Sequence, residues 1–135
     1  MVQTLLKISE AASLALHTVE QLAREKDRFV PTQEIAEALH VSEHHLAKVH
    51  QRLARAGLVR STRGPGGGFQ LDRAPAKITL REVYEAVEGP VEPHRCLLGR
   101  AECRRIDCLL GGLADRVNRE VLDFFEHTTV ADLAR

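Results

Sequence analysis

Residues 42–71 read SEHHLAKVHQRLARAGLVRSTRGPGGGFQL. Ser42 is a helix N-cap, Leu46, Val49 and Leu53 recur at helical spacing behind it, and Gly57 stops the helix. Residues 58–62 read as a strand, residues 63–68 (RGPGGG) as a turn with almost no side chains, and residues 69–71 as the returning strand. Just upstream, Pro31-Thr32 opens a shorter helix, with Thr32 as N-cap and Ile35, Ala36 and Leu39 as its apolar face. His40-Val41 makes the turn between the two helices. Two short helices about a brief turn, followed at once by a hairpin, predict a winged helix-turn-helix: helix-turn-helix about 32–55, wing about 58–71. The glycines do not form a phosphate-binding loop, because no Gly-Lys-Ser/Thr follows and the segment does not open a helix.

The outer face of the second helix carries His44, His45, Lys48, Gln51, Arg52 and Arg55. These are donors suited to phosphates and base edges. Arg60 and Arg63 flank the wing turn, whose bare backbone suits close approach to a groove. Net charge is zero over the whole chain. Residues 41–73, however, hold six Lys/Arg against two acids, while residues 1–40 and 74–92 are each acidic by two. A local basic surface is what phosphate contact requires.

The 135 residues, 44% hydrophobic and 28% charged, predict one globular domain over residues 1–135. No run of eighteen apolar residues exists and residues 1–7 lack a signal-peptide pattern, so no membrane partner and a cytoplasmic location are expected. With no Trp and one Tyr, stacking on single-stranded nucleic acid is disfavoured. No nucleophile–base–acid set appears, so an enzyme is not expected.

A first helix is predicted over about 9–24, with Leu14, Ala15, Thr18, Val19, Leu22 and Ala23 inward and Glu10, Ser13 and His17 on another face. After the wing, Thr79-Leu80-Arg81-Glu82 fits a capping box, with Leu80, Val83, Ala86 and Val87 buried and Gly89-Pro90 ending that helix. A last helix over about 110–127 shows Leu113, Val117, Val121, Phe124 and Phe125. That stripe needs a partner surface: a second subunit or the chain's own domain. The fold class is therefore α+β, mostly α: a winged helix-turn-helix with a long C-terminal helix for dimerisation.

Between the last two helices, about 90–109, lie the only three cysteines, Cys96, Cys103 and Cys108, spaced C-x6-C-x4-C. An odd count argues against a disulfide framework. Arg95, Arg100, Arg104 and Arg105 surround them, and such cations favour thiolates. Three thiolates supply most of an iron–sulfur ligand set. Zinc and metal-free redox thiols are the competing readings, although no C-x2–4-C zinc knuckle is present. Glu10, His17, His94, Glu102 and Asp107 are the candidates for a remaining ligand.

The string from Leu46 through Gly57-Leu58-Val59, Ser61 and residues 63–69 (RGPGGGF) resembles the Rrf-type winged-helix transcription regulators. The likeness continues through Ile78-Thr79-Leu80, Glu88-Gly89, the cysteine segment and residues 129–133 (TVADL), and so covers nearly the whole chain. The resemblance implies a homodimer on double-stranded DNA at a pseudo-palindromic operator. It implies DNA contacts from Ser42, His44, His45, Lys48 and Arg52, and from Arg60, Ser61, Arg63 and Gly64 in the wing. It also implies a 2Fe-2S or 4Fe-4S cluster on Cys96, Cys103 and Cys108, with His17 of the partner subunit as the candidate fourth ligand. The cluster would tune DNA affinity to redox state, nitric oxide or iron–sulfur supply. One departure concerns the position three residues after the last cysteine, where one iron–sulfur member of the family carries His and this chain has Gly111. Rival readings are a cofactor-free thiol- or ligand-responsive regulator of the same fold and a winged-helix protein-interaction module.

Overall fold

A computed structural model describes residues 7–92, 96–98 and 107–135. The first helix, α1 (Glu10–Arg24), starts where expected, with the Ser9 hydroxyl accepting from the Ala12 N–H at 3.1 Å. All six predicted inward residues of α1 are buried. Helix α2 (Thr32–Leu39) ends at His40, whose left-handed backbone (φ +56°) makes the tight turn into α3 (Glu43–Arg55).

The wing is an antiparallel pair, β1 (Val59–Thr62) and β2 (Gly68–Leu71), in the register Val59↔Leu71 and Arg60↔Gln70. Val30 bridges antiparallel to Phe69 on the other edge of β2 from β1. That bridge explains Gly68: a Cβ there would lie 2.3 Å from the Val30 carbonyl carbon and oxygen, so only glycine lets the strand start beside residue 30. The wing glycines thus serve an internal approach as well as the bare turn read from the sequence.

A 3-10 turn (Pro75–Lys77) leads to α4 (Leu80–Glu88), which opens with the predicted Thr79/Glu82 capping box. After the cysteine segment come α5 (Leu109–His127) and a short α6 (Val130–Leu133). Helix α6 carries a second capping box, Thr129/Asp132, that periodicity did not reveal. The Leu80 N–H donates to the Thr128 carbonyl (2.9 Å) and the Val130 N–H to the Ile78 carbonyl (2.9 Å), so the chain end closes on the start of α4. One core joins these elements, with Leu22, Ile35, Leu46, Leu53, Leu58, Ile78, Val83 and Val130 at 3% exposure or less. No helix among the described residues is long and apolar enough to cross a membrane.

Candidate nucleic-acid interface and thiol segment

The recognition-helix position is set from inside by His50. Leu46, Val49, His50 and Leu53 form the buried face of α3. The two ring nitrogens of His50 are both satisfied: Nε2 lies 3.1 Å from Thr18 Oγ1 on α1, and Nδ1 lies 3.1 Å from Thr32 Oγ1 on α2. Phe69 of β2 meets the ring edge-on at 4.8 Å. One imidazole therefore ties together three helices and the wing. Burial pushes its pKa down to about 4, so it is neutral at pH 7. The sequence reading had only Leu46, Val49 and Leu53 inward; the position of His50, four after Leu46 and one after Val49, carried the missed signal. Thr32, expected as N-cap, is the first residue of α2 with Pro31 in the cap position, and its hydroxyl serves His50 instead.

On the opposite side of α3, His44, His45, Lys48, Gln51, Arg52 and Arg55 are all exposed. Ser42 is exposed and uses its hydroxyl to accept from the His45 N–H at 3.4 Å. Two of these side chains have partners that the sequence did not disclose. His45 Nε2 lies 3.8 Å from Glu10 Oε1 at the start of α1. Arg52 donates from a terminal guanidinium nitrogen to the Val87 carbonyl of α4 at 2.9 Å.

In the wing, Ser61, Arg63 and Gly64 are exposed, and Gly64 has φ +89°. The alternation of strand side chains puts Arg60 and Gln70 on the outer face. Arg60 donates to Gln70 Oε1 (2.7 Å) and lies over the Phe29 ring (5.6 Å), while Gln70 Nε2 donates to the Lys26 carbonyl (2.8 Å). Arg60 is thus held in place before any partner arrives. A cleft of about 330 Å³ on this face is lined by Lys26, Arg60, Gln70, Asp72 and Arg73, among others.

Of the predicted cluster ligands, Cys96 and Cys108 are half-buried. Cys103, together with the weighed His94 and Glu102, lies outside the described residues. Cys108 is the N-cap of α5, an end that suits the negative charge of a metal-bound thiolate. No group of three metal-ligating side chains assembles among the described residues. His17 is exposed on α1, with Nδ1 2.7 Å from its own helix's Ser13 carbonyl. Nδ1–H donating there leaves Nε2 pointing away with a free lone pair, the arrangement metal-bound histidines commonly show. The donor chemistry of these residues fits an iron–sulfur group.

The apolar stripe of α5 divides. Phe125 is buried against Tyr84 (ring centroids 5.7 Å) and Val121 packs on the core. Leu109, Leu110, Leu113 and Phe124 are 89%, 54%, 46% and 59% exposed. Val121 and Phe125 of the stripe fold onto the chain's own domain, whereas the large apolar side chains Leu109, Leu110, Leu113 and Phe124 do not.

Comparison with known proteins places this geometry. The Rrf2 family profile, described as an iron-dependent transcriptional regulator, matches residues 8–135. The HTH-type transcriptional regulator IscR of Photobacterium profundum is 31% identical over 129 residues, spanning 95% of this chain and 70% of that protein. Among solved structures, CymR (YrzC), the global cysteine regulator of B. subtilis, superposes with a TM-score of 0.81 at 30% identity, covering 96% of this chain and 97% of that one. IscR of T. potens superposes with a TM-score of 0.75 at 25% identity over 95% and 85%. The architecture is that of a winged helix-turn-helix, its relatives are regulators rather than enzymes, and the chain belongs to the Rrf2 family of transcriptional regulators.

Proposed function

We propose that the chain acts as a homodimer that binds a pseudo-palindromic DNA operator, and that an iron–sulfur cluster on Cys96, Cys103 and Cys108 sets its affinity. The observation that carries the DNA reading is the exposed row His44, Lys48, Arg55 on α3, beside Arg63 and Gly64 of the wing, all on a scaffold locked by His50. Ser42, His45, Arg60 and Ser61 complete the contact surface. The exposed leucines at the start of α5 are the surface for the second subunit. Two-fold symmetry then spaces the recognition helices about one DNA turn, roughly 34 Å or a multiple, apart.

The cluster reading is supported by the iron-dependent description of the family and by the likeness to IscR. When bound, the cluster supplies one-electron redox chemistry and a target for nitric oxide. His17 of the partner subunit is the proposed fourth ligand, its Nδ1 already engaged by Ser13. A second reading, direct thiol sensing, is favoured by the likeness to a cysteine regulator.

Anaerobic purification followed by visible spectroscopy and iron and sulfide analysis separates the two. The cluster reading expects a coloured protein that loses its colour in Cys96→Ala, Cys103→Ala or Cys108→Ala and shifts its spectrum in His17→Ala. Colourless, iron-free protein whose DNA affinity still responds to diamide would establish the thiol reading instead. Protein that shows no salt-dependent affinity for any duplex would overturn both.

A further inference from the structure

The last turn of α4 immediately precedes the cysteine segment in the chain, and it is fastened to two other helices. Carbonyls in the last turn of a helix have no N–H partner within it. The Val87 carbonyl takes its proton from Arg52, in the last turn of α3, at 2.9 Å. Next to it, the Glu88 carboxylate accepts from the Ser9 hydroxyl, which in turn caps α1 by accepting from the Ala12 N–H. Glu10, the first residue of α1, lies 3.8 Å from His45 of α3. Residues 87 and 88 therefore hold the end of the recognition helix and the beginning of α1 together. Gly89 (φ +84°) then ends the helix, and Cys96 follows seven residues later in the sequence.

From this we infer that Arg52 is a positioning residue that transmits the state of the cysteine segment to the recognition helix, through its bond to the Val87 carbonyl. The inference rests on the sensing role proposed above. Lys48 and Arg55, on the same outer face, have no hydrogen bond or ion pair among the described residues, so their charges are open to phosphate. Arg52, which the resemblance implies as a DNA contact, differs because one terminal nitrogen of its exposed guanidinium already donates to the Val87 carbonyl. A pull on residues 88–89 acts first on Ser9 and, through the Val87 carbonyl, on Arg52, since Leu80 and Val83 keep the body of α4 in the core. A coupling of this kind requires an element that both sites bias, and the last turn of α4 is that element.

The test uses the full chain and a duplex selected by the wild-type protein from a random-sequence library. Affinity is measured for anaerobically isolated protein and for the same protein after its cluster has been stripped or, where it is isolated iron-free, after diamide treatment, across a range of salt. Wild type should show an affinity ratio between the two states on the order of 5–150-fold. Arg52→Ala should bring the ratio to within about twofold of one, leaving the salt slope unchanged. Arg52→Met, which keeps the aliphatic stem, should do the same and guards against a variant that merely fails to fold. A slope lowered by about one unit with the ratio preserved would make Arg52 an ordinary phosphate contact and overturn the inference. A preserved ratio at unchanged slope would overturn it too. If wild type itself shows no ratio, the sensing role fails and takes the inference with it, an outcome distinct from the other two.

Discussion

Helices α1 and α5 are the two longest among the described residues, fifteen and nineteen residues, and each carries an apolar stripe. In α1 the stripe disappears into the core: Ala12, Leu14, Ala15, Val19, Leu22 and Ala23 are at most 7% exposed. In α5 only Gly111, Ala114 and Phe125 are buried, and three leucines near its start stand in solvent. The difference follows from the neighbours. Among the described residues, helix α1 packs against α2, α3, α4, α6 and the wing strand β2, whereas α5 has only α4 as a substantial helical neighbour. A periodic stripe shows that a helix has a buried side, and the partner that buries it is a separate matter.

Substitution breaks this comparison most sharply. Leu22→Ala removes a side chain that is 1% exposed and should cost about 2–5 kcal/mol in urea unfolding. Leu110→Ala, at a position 54% exposed, should leave the fold intact and act on self-association, read by analytical ultracentrifugation. Equal losses of stability at the two positions would show that α5 is as fully packed within one chain as α1.

Acid should separate the two regions next. The His50 pKa is held at about 4 in the fold, against 6.5 for a free imidazole. The unfolded chain therefore binds a proton that the folded chain refuses. Stability is complete above pH 6.5 and falls as pH drops toward 4, by about 3 kcal/mol at the lower end. His50→Gln, which keeps hydrogen-bonding capacity but does not titrate, should flatten that part of the profile. Unfolding midpoints at pH 7 and pH 5 that fall equally in wild type and variant would remove His50 as the cause.

A smaller effect is expected at Gly68. Its replacement by Ala must push the wing away from Val30, at a cost of about 1–3 kcal/mol. Since the wing is packed through Phe69 on His50, DNA affinity should fall more than stability alone explains. A variant of native stability and affinity would show that the strand can shift freely.

Much of this architecture was legible in the sequence because it is local. Ser42 and Thr79 cap where they were expected to, and the inward face of α1 and the buried Leu80, Val83 and Val87 of α4 follow from spacing, although Ala86, expected with them, is only half-buried. What was missed depends on contacts between distant residues. His50 looked polar and was left off the buried face, because only Thr18, thirty-two positions away, and Thr32 make its burial possible. Arg52 looked like one more surface cation until α4 supplied a carbonyl thirty-five positions on. Phe124 and Phe125 are adjacent in the stripe, yet Tyr84 decides that only the second is buried. The site followed the same pattern: the exposure of Lys48, Arg63 and Gly64 was readable, and the internal bonds of His45, Arg52 and Arg60 were not.

The closure of the chain end on α4 gives α5 the mechanics of a lever. Phe125 beside Tyr84, and the backbone bonds of Thr128 and Val130, form a fulcrum at one end. Cys108 stands at the other, about 25 Å away at the rise of an α-helix. At that arm length a tilt of ten degrees carries the tip through about 4 Å, more than the length of a hydrogen bond. Were a change at Cys108 to tilt α5 by that much against the packing of Gly111 and Ala114, Leu109, Leu110 and Leu113 would move by a distance that rearranges any surface resting on them.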